Sequence, residues 1–363
     1  MDEEFLAYLQ ERGSGIDGRR TGTRNKTVTE SAAREQLFIQ QLGAVVDRMK
    51  TRYVVAAPVK KKHGTAKLAL SVNLSDLHYG AALDDREVPL AYGHVEEARR
   101  TAAVAKWVAN HRTREERGEM DLYLNLLGDI IQNQLHDPRD GKPLAEQVAA
   151  AIHLLAQFIL YVSQAGYRSV TINCTPGNHG RNTARHRVRA TNEKWDAIET
   201  HIYYALKKIV EYAGLPNTTF NMVYTPFYTY KVFGHSVFCT HGDTVIKPGY
   251  PNKAIEVESV RRQINEINGA LAPEDKHSVF VVGHVHVSSK VKLPNRVYFM
   301  SNGCLIPTDA YGVSLGFMET ACCMTVFEST PEHPVGYHCE IDVGVENDKD
   351  KALDKIIQPF TGF

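Results

Sequence analysis

Five short clusters of ligand-type residues follow one another down the chain: Asp76-Leu77-His78, Gly128-Asp129, Gly177-Asn178-His179, His241-Gly242 and Gly283-His284-Val285-His286. Imidazole nitrogens, carboxylates and amide oxygens together are the donors that hold divalent transition metals. Side chains two apart on extended backbone point to the same side, so Asp76 and His78 are expected to converge, as are His284 and His286. Asp129 brings one carboxylate whose two oxygens can serve two cations, and Asn178 adds a neutral amide oxygen. Each fragment alone is commonplace, and a lone histidine is more often a core or surface residue than a ligand. Five fragments in one order, each directly after an apolar run, are a different matter.

Those runs span residues 68–74, 122–127, 169–173, 236–239 and 278–282, all of strand length and bounded by Gly, Asp or Pro. Donor residues therefore sit where strands end, the place where open α/β sheets bind ligands. The glycines before Asp129, Asn178 and His284 are consistent with backbone that turns or is closely approached there. Helices are expected at about 95–117, 143–165, 194–213 and 255–270, and further strands near 296–302, 320–327 and 336–342. Leu144, Val148, Ile152, Leu155 and Ile159 form a helical stripe, which makes His153 on that helix a structural residue.

At this point the chain resembles the calcineurin-like metallophosphoesterase superfamily, over about residues 68 to 305. The resemblance implies an α/β fold of two packed mixed β-sheets flanked by helices. It further implies one metal held by Asp76, His78, Asp129 and His286 and a second held by Asp129, Asn178, His241 and His284, with Asp129 as the bridge. His179 corresponds to the family's catalytic histidine, which protonates the leaving oxygen or steadies the phosphoryl charge. Charge counting agrees. Two divalent cations carry four positive charges and the two aspartates return two, because histidine binds neutral and Asn178 is uncharged. A bridging hydroxide and one phosphate-ester anion bring the site to neutrality. The mixed imidazole and oxygen set favours manganese, with iron, zinc, nickel and cobalt as alternatives.

Departures from known branches narrow the substrate. Protein phosphatases of the superfamily carry Gly-Asp-x-x-Asp-Arg-Gly and Gly-Asn-His-Glu, whereas this chain has Gly128-Asp129-Ile130-Ile131-Gln132-Asn133-Gln134 and Gly177-Asn178-His179-Gly180. That argues against a protein phosphatase and leaves open what orients the His179 imidazole, with His136 and Asp137 as candidates. His136 is also a candidate substrate contact. Four arginines, Arg181, Arg185, Arg187 and Arg189, follow the histidine, and guanidinium suits bidentate phosphate contact. Arg181 is expected to face the cleft and Arg185 to reach substrate. The five clusters are shared with the Mre11/SbcD-like nuclease branch, but the 77 residues given after His286 read as sandwich strands and a tail, so a full DNA-capping domain is not expected among them. The compact C-terminal end is similar to phosphoesterases of tailed phages. The expected activity is a binuclear phosphodiesterase acting on DNA or another nucleic acid. A phosphoesterase of nucleotides or cyclic nucleotides is the alternative, and a noncatalytic nucleic-acid-binding subunit on the same fold is a third, weakened because such subunits lose ligands that this chain keeps.

Residues 1–66 read as an N-terminal extension, with cations at Arg19, Arg20, Arg24, Lys26 and Lys60 to Lys62 and an amphipathic helix from Glu30 to Arg52. The catalytic domain is expected over 67–345 and a tail over 346–363. Lysine plus arginine equal aspartate plus glutamate at 42 each, so any nucleic-acid contact must come from local patches. The six cysteines show no Cys-x-x-Cys pairing and read as small buried hydrophobes. No signal-like start and no run long enough to span a membrane are read, so no membrane partner is expected. The expected location is the cytoplasm, the host's if the protein is phage-encoded.

Overall fold

The computed structural model describes residues 65–135, 138–182, 194–223, 225–249, 255–314, 316, 321–344 and 353–362. The N-terminal extension except its last two residues lies outside the described residues, as do His136, Asp137, Arg185, Arg187 and Arg189.

Four strands, β1 (Leu68–Leu74), β2 (Met120–Leu126), β3 (Ser169–Cys174) and β4 (Thr218–Met222), run parallel in one sheet. β5 (Phe227–Val232), β6 (His235–Thr240), β7 (Val279–Val282), β8 (Ser289–Lys292) and β9 (Tyr298–Ser301) make a second sheet in the order β5-β6-β7-β9-β8, with β6, β7 and β9 parallel. β10 (Cys323–Ser329) returns to the first sheet antiparallel to β1 and carries β11 (His338–Asp342) on its far edge. Both sheets are thus mixed. β1 is buried along nearly its whole length, as a strand covered on both faces must be, whereas the edge strands β5 and β8 alternate.

The two sheets pack through Ala69 and Phe327 on one side and Val237, Val279, Val281 and Met300 on the other. The larger of these side chains contribute about 1.5–3 kcal/mol each on burial. On the far side of the second sheet, Val260 and Ile264 of helix α5 (Val257–Gly269) meet Phe238, Phe280 and Phe299. Helices α1 (His94–Asn110), α3 (Leu144–Ser163) and α4 (Ile198–Ala213) lie side by side, α3 in the middle. Tyr203 of α4 ties this layer to the first sheet by donating to the Thr175 carbonyl just after β3.

Two expectations change. The helix expected over 95–117 is two helices, because Thr113 opens a new turn, α2 (Arg114–Arg117), by a capping box with Glu116. The expectation that no run is long enough to span a membrane also fails. α3 has 20 residues with a window of mean hydropathy 1.4, sufficient by length and composition alone, yet 72% of that window is buried inside the protein. Its apolarity is that of a central helix with neighbours on either flank. The tail reaches the same helix, where His153 Nε2 lies 3.0 Å from the Gln358 carbonyl and Gln157 exchanges hydrogen bonds with the Gln358 backbone.

A row of asparagines crosses the first sheet just below the strand ends. Asn73, Asn125, Asn173 and Asn221 are in register across β1 to β4. Asn125 donates to Asn73, Asn73 to Thr325 and Asn221 to Asn173, at 3.0, 3.2 and 3.0 Å. Tyr228 of the second sheet donates to Asn125 at 3.1 Å. The seam between the sheets is therefore polar next to the rim that carries the ligand-type residues.

Candidate metal centre

All five clusters emerge from the carboxyl ends of parallel strands: Asp76 and His78 beyond β1, Asp129 beyond β2, Asn178 and His179 beyond β3, His241 beyond β6, and His284 and His286 beyond β7. The first sheet supplies five of these residues and the second sheet three. Their convergence has a different cause from the one expected. Asp76, His78, Asp129, His284 and His286 all have positive φ, between 49° and 74°, so the pairs converge through left-handed turns and not through strand alternation. Such conformations cost non-glycine residues of the order of 1 kcal/mol each and cluster at functional sites. Hydrogen bonds between turns offset the cost: Asp76 N to Gly128 O at 3.0 Å, Leu77 N to Asp129 O at 2.9 Å, His179 N to Asp129 Oδ1 at 2.7 Å and His284 N to Asp76 Oδ2 at 3.0 Å. Gly128 combines a φ of 88° with backbone contact from Gly177, and a Cβ at Gly283 would lie 2.6 Å from Asp76 Oδ2. The turns are nested against one another, as the glycines implied.

Ligand-type atoms crowd within hydrogen-bond distance of one another. His241 Nδ1 lies 2.7 Å from the Leu127 carbonyl, which can only accept, so Nδ1 carries a proton and Nε2 faces the other ligand-type atoms. That Nε2 is 3.0 Å from Asp129 Oδ2 and 3.1 Å from Asn178 Oδ1. His78 is oriented in the same way by Gln132 Oε1, 2.7 Å from its Nδ1. Its Nε2 faces His286 Nε2 at 3.3 Å, and that nitrogen is 3.3 Å from Asp76 Oδ1. Three overlapping groups result, Asp76 with His78 and His286, His78 with Asp129 and His179, and Asp129 with His241 and His284, each with ligand atoms within 4.8 Å. Imidazole nitrogens and carboxylate oxygens gathered this closely are the donor set of a divalent cation, so the residues present fit divalent metal.

Electrostatics point the same way. Burial, with the neighbouring His179 and His286, holds His78 neutral down to about pH 3, and burial with His241 lowers His284 to about 4. Burial works to raise Asp76, but its hydrogen bond and charge contact with His286 bring it to about 2. Neutral imidazoles and charged carboxylates are the metal-binding forms. His241 moves the other way: burial opposes its protonation, yet Asp129 raises it to about 10.

Several supporting residues were not found by sequence reasoning. Gln132 orients two histidines, His78 through its side chain and His179 through its carbonyl, 2.6 Å from His179 Nδ1. This carbonyl answers what holds the imidazole. Lys194, 7% exposed, donates to the Gly177 carbonyl at 2.9 Å and to both Asp243 oxygens at 3.0 Å. Arg181 is mostly buried with Nη2 3.9 Å from Asp243, and its buried Nη1 meets no hydrogen-bond acceptor among the described residues. Fully buried Glu199 accepts from Ile130 N and Gly177 N; burial and the Asp129 charge raise it to about 7 against those two bonds. Asp243 adjoins His241-Gly242 and could have been suspected. Lys194 and Glu199 are brought in from a distant segment and carry no local signal.

No protein-family model matches this chain, and no curated protein matches it. Among solved structures it is similar to a conserved protein of Streptococcus pneumoniae TIGR4 described as a predicted phosphoesterase, at 14% identity over 75% of this chain and 97% of that one, TM-score 0.29. It is also similar to a single mutant of Vps29 from Entamoeba histolytica, at 10% identity over 75% and 98% of the two chains, TM-score 0.32. A third is the 5'-nucleotidase precursor of Thermus thermophilus, at 14% identity over 75% of this chain and 54% of that one, TM-score 0.32.

Proposed function

We propose that this protein is a metal-dependent phosphoester hydrolase of the calcineurin-like type, with two divalent cations and a phosphodiester as substrate. The observation that carries the reading is the convergence of outward-facing histidine Nε2 atoms with Asp76 and Asp129 oxygens at 3.0–3.3 Å. Asp76, His78, Asp129 and His286 would hold one cation, and Asp129, Asn178, His241 and His284 the other, manganese being the first choice. The cations supply Lewis acidity toward a phosphoryl oxygen and toward water.

The chain's own residues do the rest. His179, fixed through Nδ1 on the Gln132 carbonyl and held beside Asp129, gives a proton from Nε2 to the departing oxygen. Arg181, with one buried nitrogen that meets no acceptor among the described residues, offers a second anion contact. Two aspartates and one hydroxide would leave a two-cation centre with about one net positive charge, which suits a singly charged diester better than a doubly charged monoester. A nucleic acid is the leading diester, since Arg185, Arg187 and Arg189 would hold neighbouring phosphates.

The test is the full chain reconstituted with Mn2+ and assayed in parallel on a chromogenic diester, a nucleoside monophosphate, a cyclic nucleotide and labelled DNA. Diesters are expected to turn over fastest. Replacing Arg185, Arg187 and Arg189 with alanine should slow DNA cleavage and flatten its salt dependence while sparing the small diester. Faster turnover of the monophosphate than of any diester would assign the protein to nucleotide metabolism instead.

A further inference from the structure

Gly180 stands where chains with Gly-Asn-His-Glu carry a carboxylate, and the structure shows what occupies that space. Glu199, the second residue of α4, has no exposed surface. Its Oε2 accepts from Gly177 N at 2.6 Å and its Oε1 from Ile130 N at 2.5 Å. Gly177 directly precedes Asn178 and Ile130 directly follows Asp129. One carboxylate therefore fastens together the two turns that present Asp129, Asn178 and His179.

The two positions exclude each other. A Cβ on residue 180 would lie 2.8 Å from Glu199 Cγ and 2.9 Å from its Cδ and Oε2. Gly180 is absent from the residues with positive φ, so its backbone does not require glycine. Room for Glu199 is the remaining reason for a glycine there. The Gly180 carbonyl also accepts from Ile198 N at 2.7 Å, which pins the start of α4 to the turn it braces.

We propose that Glu199 is a positioning residue of this centre, delivering from α4 a carboxylate brace that a side chain at 180 could equally deliver. The inference rests on the hydrolase reading above. It needs both carboxylate oxygens, because a glutamine would turn an NH2 toward one of two backbone N–H groups. It also makes residues 180 and 199 a reciprocal pair: either can carry the carboxylate, and both together collide.

The experiment compares wild type, Glu199→Gln, Glu199→Ala, Gly180→Glu and the double variant Gly180→Glu/Glu199→Ala as full chains loaded with Mn2+. Bound metal, melting temperature, and kcat and KM on a chromogenic diester are read for each. Glu199→Gln keeps the shape of the side chain, and its kcat is expected to fall about 10–100-fold with a smaller change in KM, the range seen when a residue supporting metal ligands is lost. Gly180→Glu alone should fall comparably, and the double variant should recover to within about tenfold of wild type. Recovery in the double variant supports the brace even if Glu199→Ala alone is insoluble, because a mere core-packing role is not restored by a carboxylate from a different position. A wild-type kcat in Glu199→Gln, or a double variant no better than its worse parent, overturns the inference while leaving the hydrolase reading intact. Failure of wild type itself to hydrolyse any phosphoester overturns both.

Discussion

Asp129 joins two parts of the centre: it lies with His78 and His179 in one group of donors, with His241 and His284 in another, and accepts from the His179 backbone. Asp129→Asn removes one charge and replaces one of the two oxygens with an NH2. Both cations should be lost or weakened together, with metal per chain falling well below two and hydrolysis down at least about 100-fold. Undiminished hydrolysis with one ion or none bound would sink the two-metal reading. His179 separates from this, since its ring is oriented by a backbone carbonyl that the substitution leaves in place. His179→Ala should keep most of its metal and lose about 100-fold or more on a diester with an alkoxide leaving group, but much less on one with nitrophenolate, which departs without a proton. Equal rates on both, unchanged from wild type, would remove His179 from the chemistry. The ligand-type residues were legible in the sequence because their type and position after strands are local properties. The reason for their convergence was not, since left-handed backbone at Asp76, His78, His284 and His286 leaves no mark on residue identity. Gln132 and Glu199 were invisible because their roles exist only once distant turns are folded together.

Strands and helices were read correctly where periodicity was strong, as in β1, α3 and α5, and misread where a short polar signal overrode it, as at the Thr113 capping box. The asparagine row escaped for a related reason: a polar residue in a strand normally marks a solvent face, yet Asn73 and Asn125 are fully buried between the sheets. Asn125→Ala would leave the Asn73 oxygen without its donor and take one acceptor from the Tyr228 hydroxyl, which keeps its bond with Cys239, at about 1–3 kcal/mol. Urea unfolding would show it; a loss under about 0.5 kcal/mol would mean the row is dispensable. A second tie joins the segment after α1 to β10, where Arg112 and His111 each reach Glu328 at 2.7 Å. Burial works to raise Glu328, but those bonds bring it from 4.5 to about 2. A folded-state value below the unfolded one means the contribution is present above about pH 4.5 and drains away as pH falls toward 2. Glu328→Gln should therefore cost about 1–3 kcal/mol at pH 7 and markedly less at about pH 3. An equal loss at both pH values would show packing, not charge, to be at stake.

For the molecule as a whole, the centre is also a joint. Asp76, His78, Asp129 and Asn178 belong to loops of the first sheet, and His241, His284 and His286 to loops of the second, so any cation they share links the two sheets directly. The rim where the sheets meet holds two buried aspartates, His241 against Asp129 at 3.0 Å, and the Nε2 atoms of His78 and His286 facing one another at 3.3 Å. Binding to the folded chain alone adds RT ln(1 + [L]/Kd), about 4 kcal/mol at a thousandfold excess over Kd. At roughly 2–4 °C per kcal/mol for a chain somewhat smaller than this one, chelation should lower the melting temperature by about 5–15 °C. The loss should be reversed by Mn2+ and abolished in Asp129→Asn, whose melting temperature should not respond to chelator at all. It should also be cooperative, because the cations hold sheet to sheet and not loop to loop: far-ultraviolet dichroism and tryptophan fluorescence should report one shifted transition. A chelator-induced drop of the same size in Asp129→Asn would place the stabilising metal somewhere other than this centre, and no drop in wild type would mean that the sheets are held together by the buried seam of Ala69, Phe327, Val279 and Met300 alone.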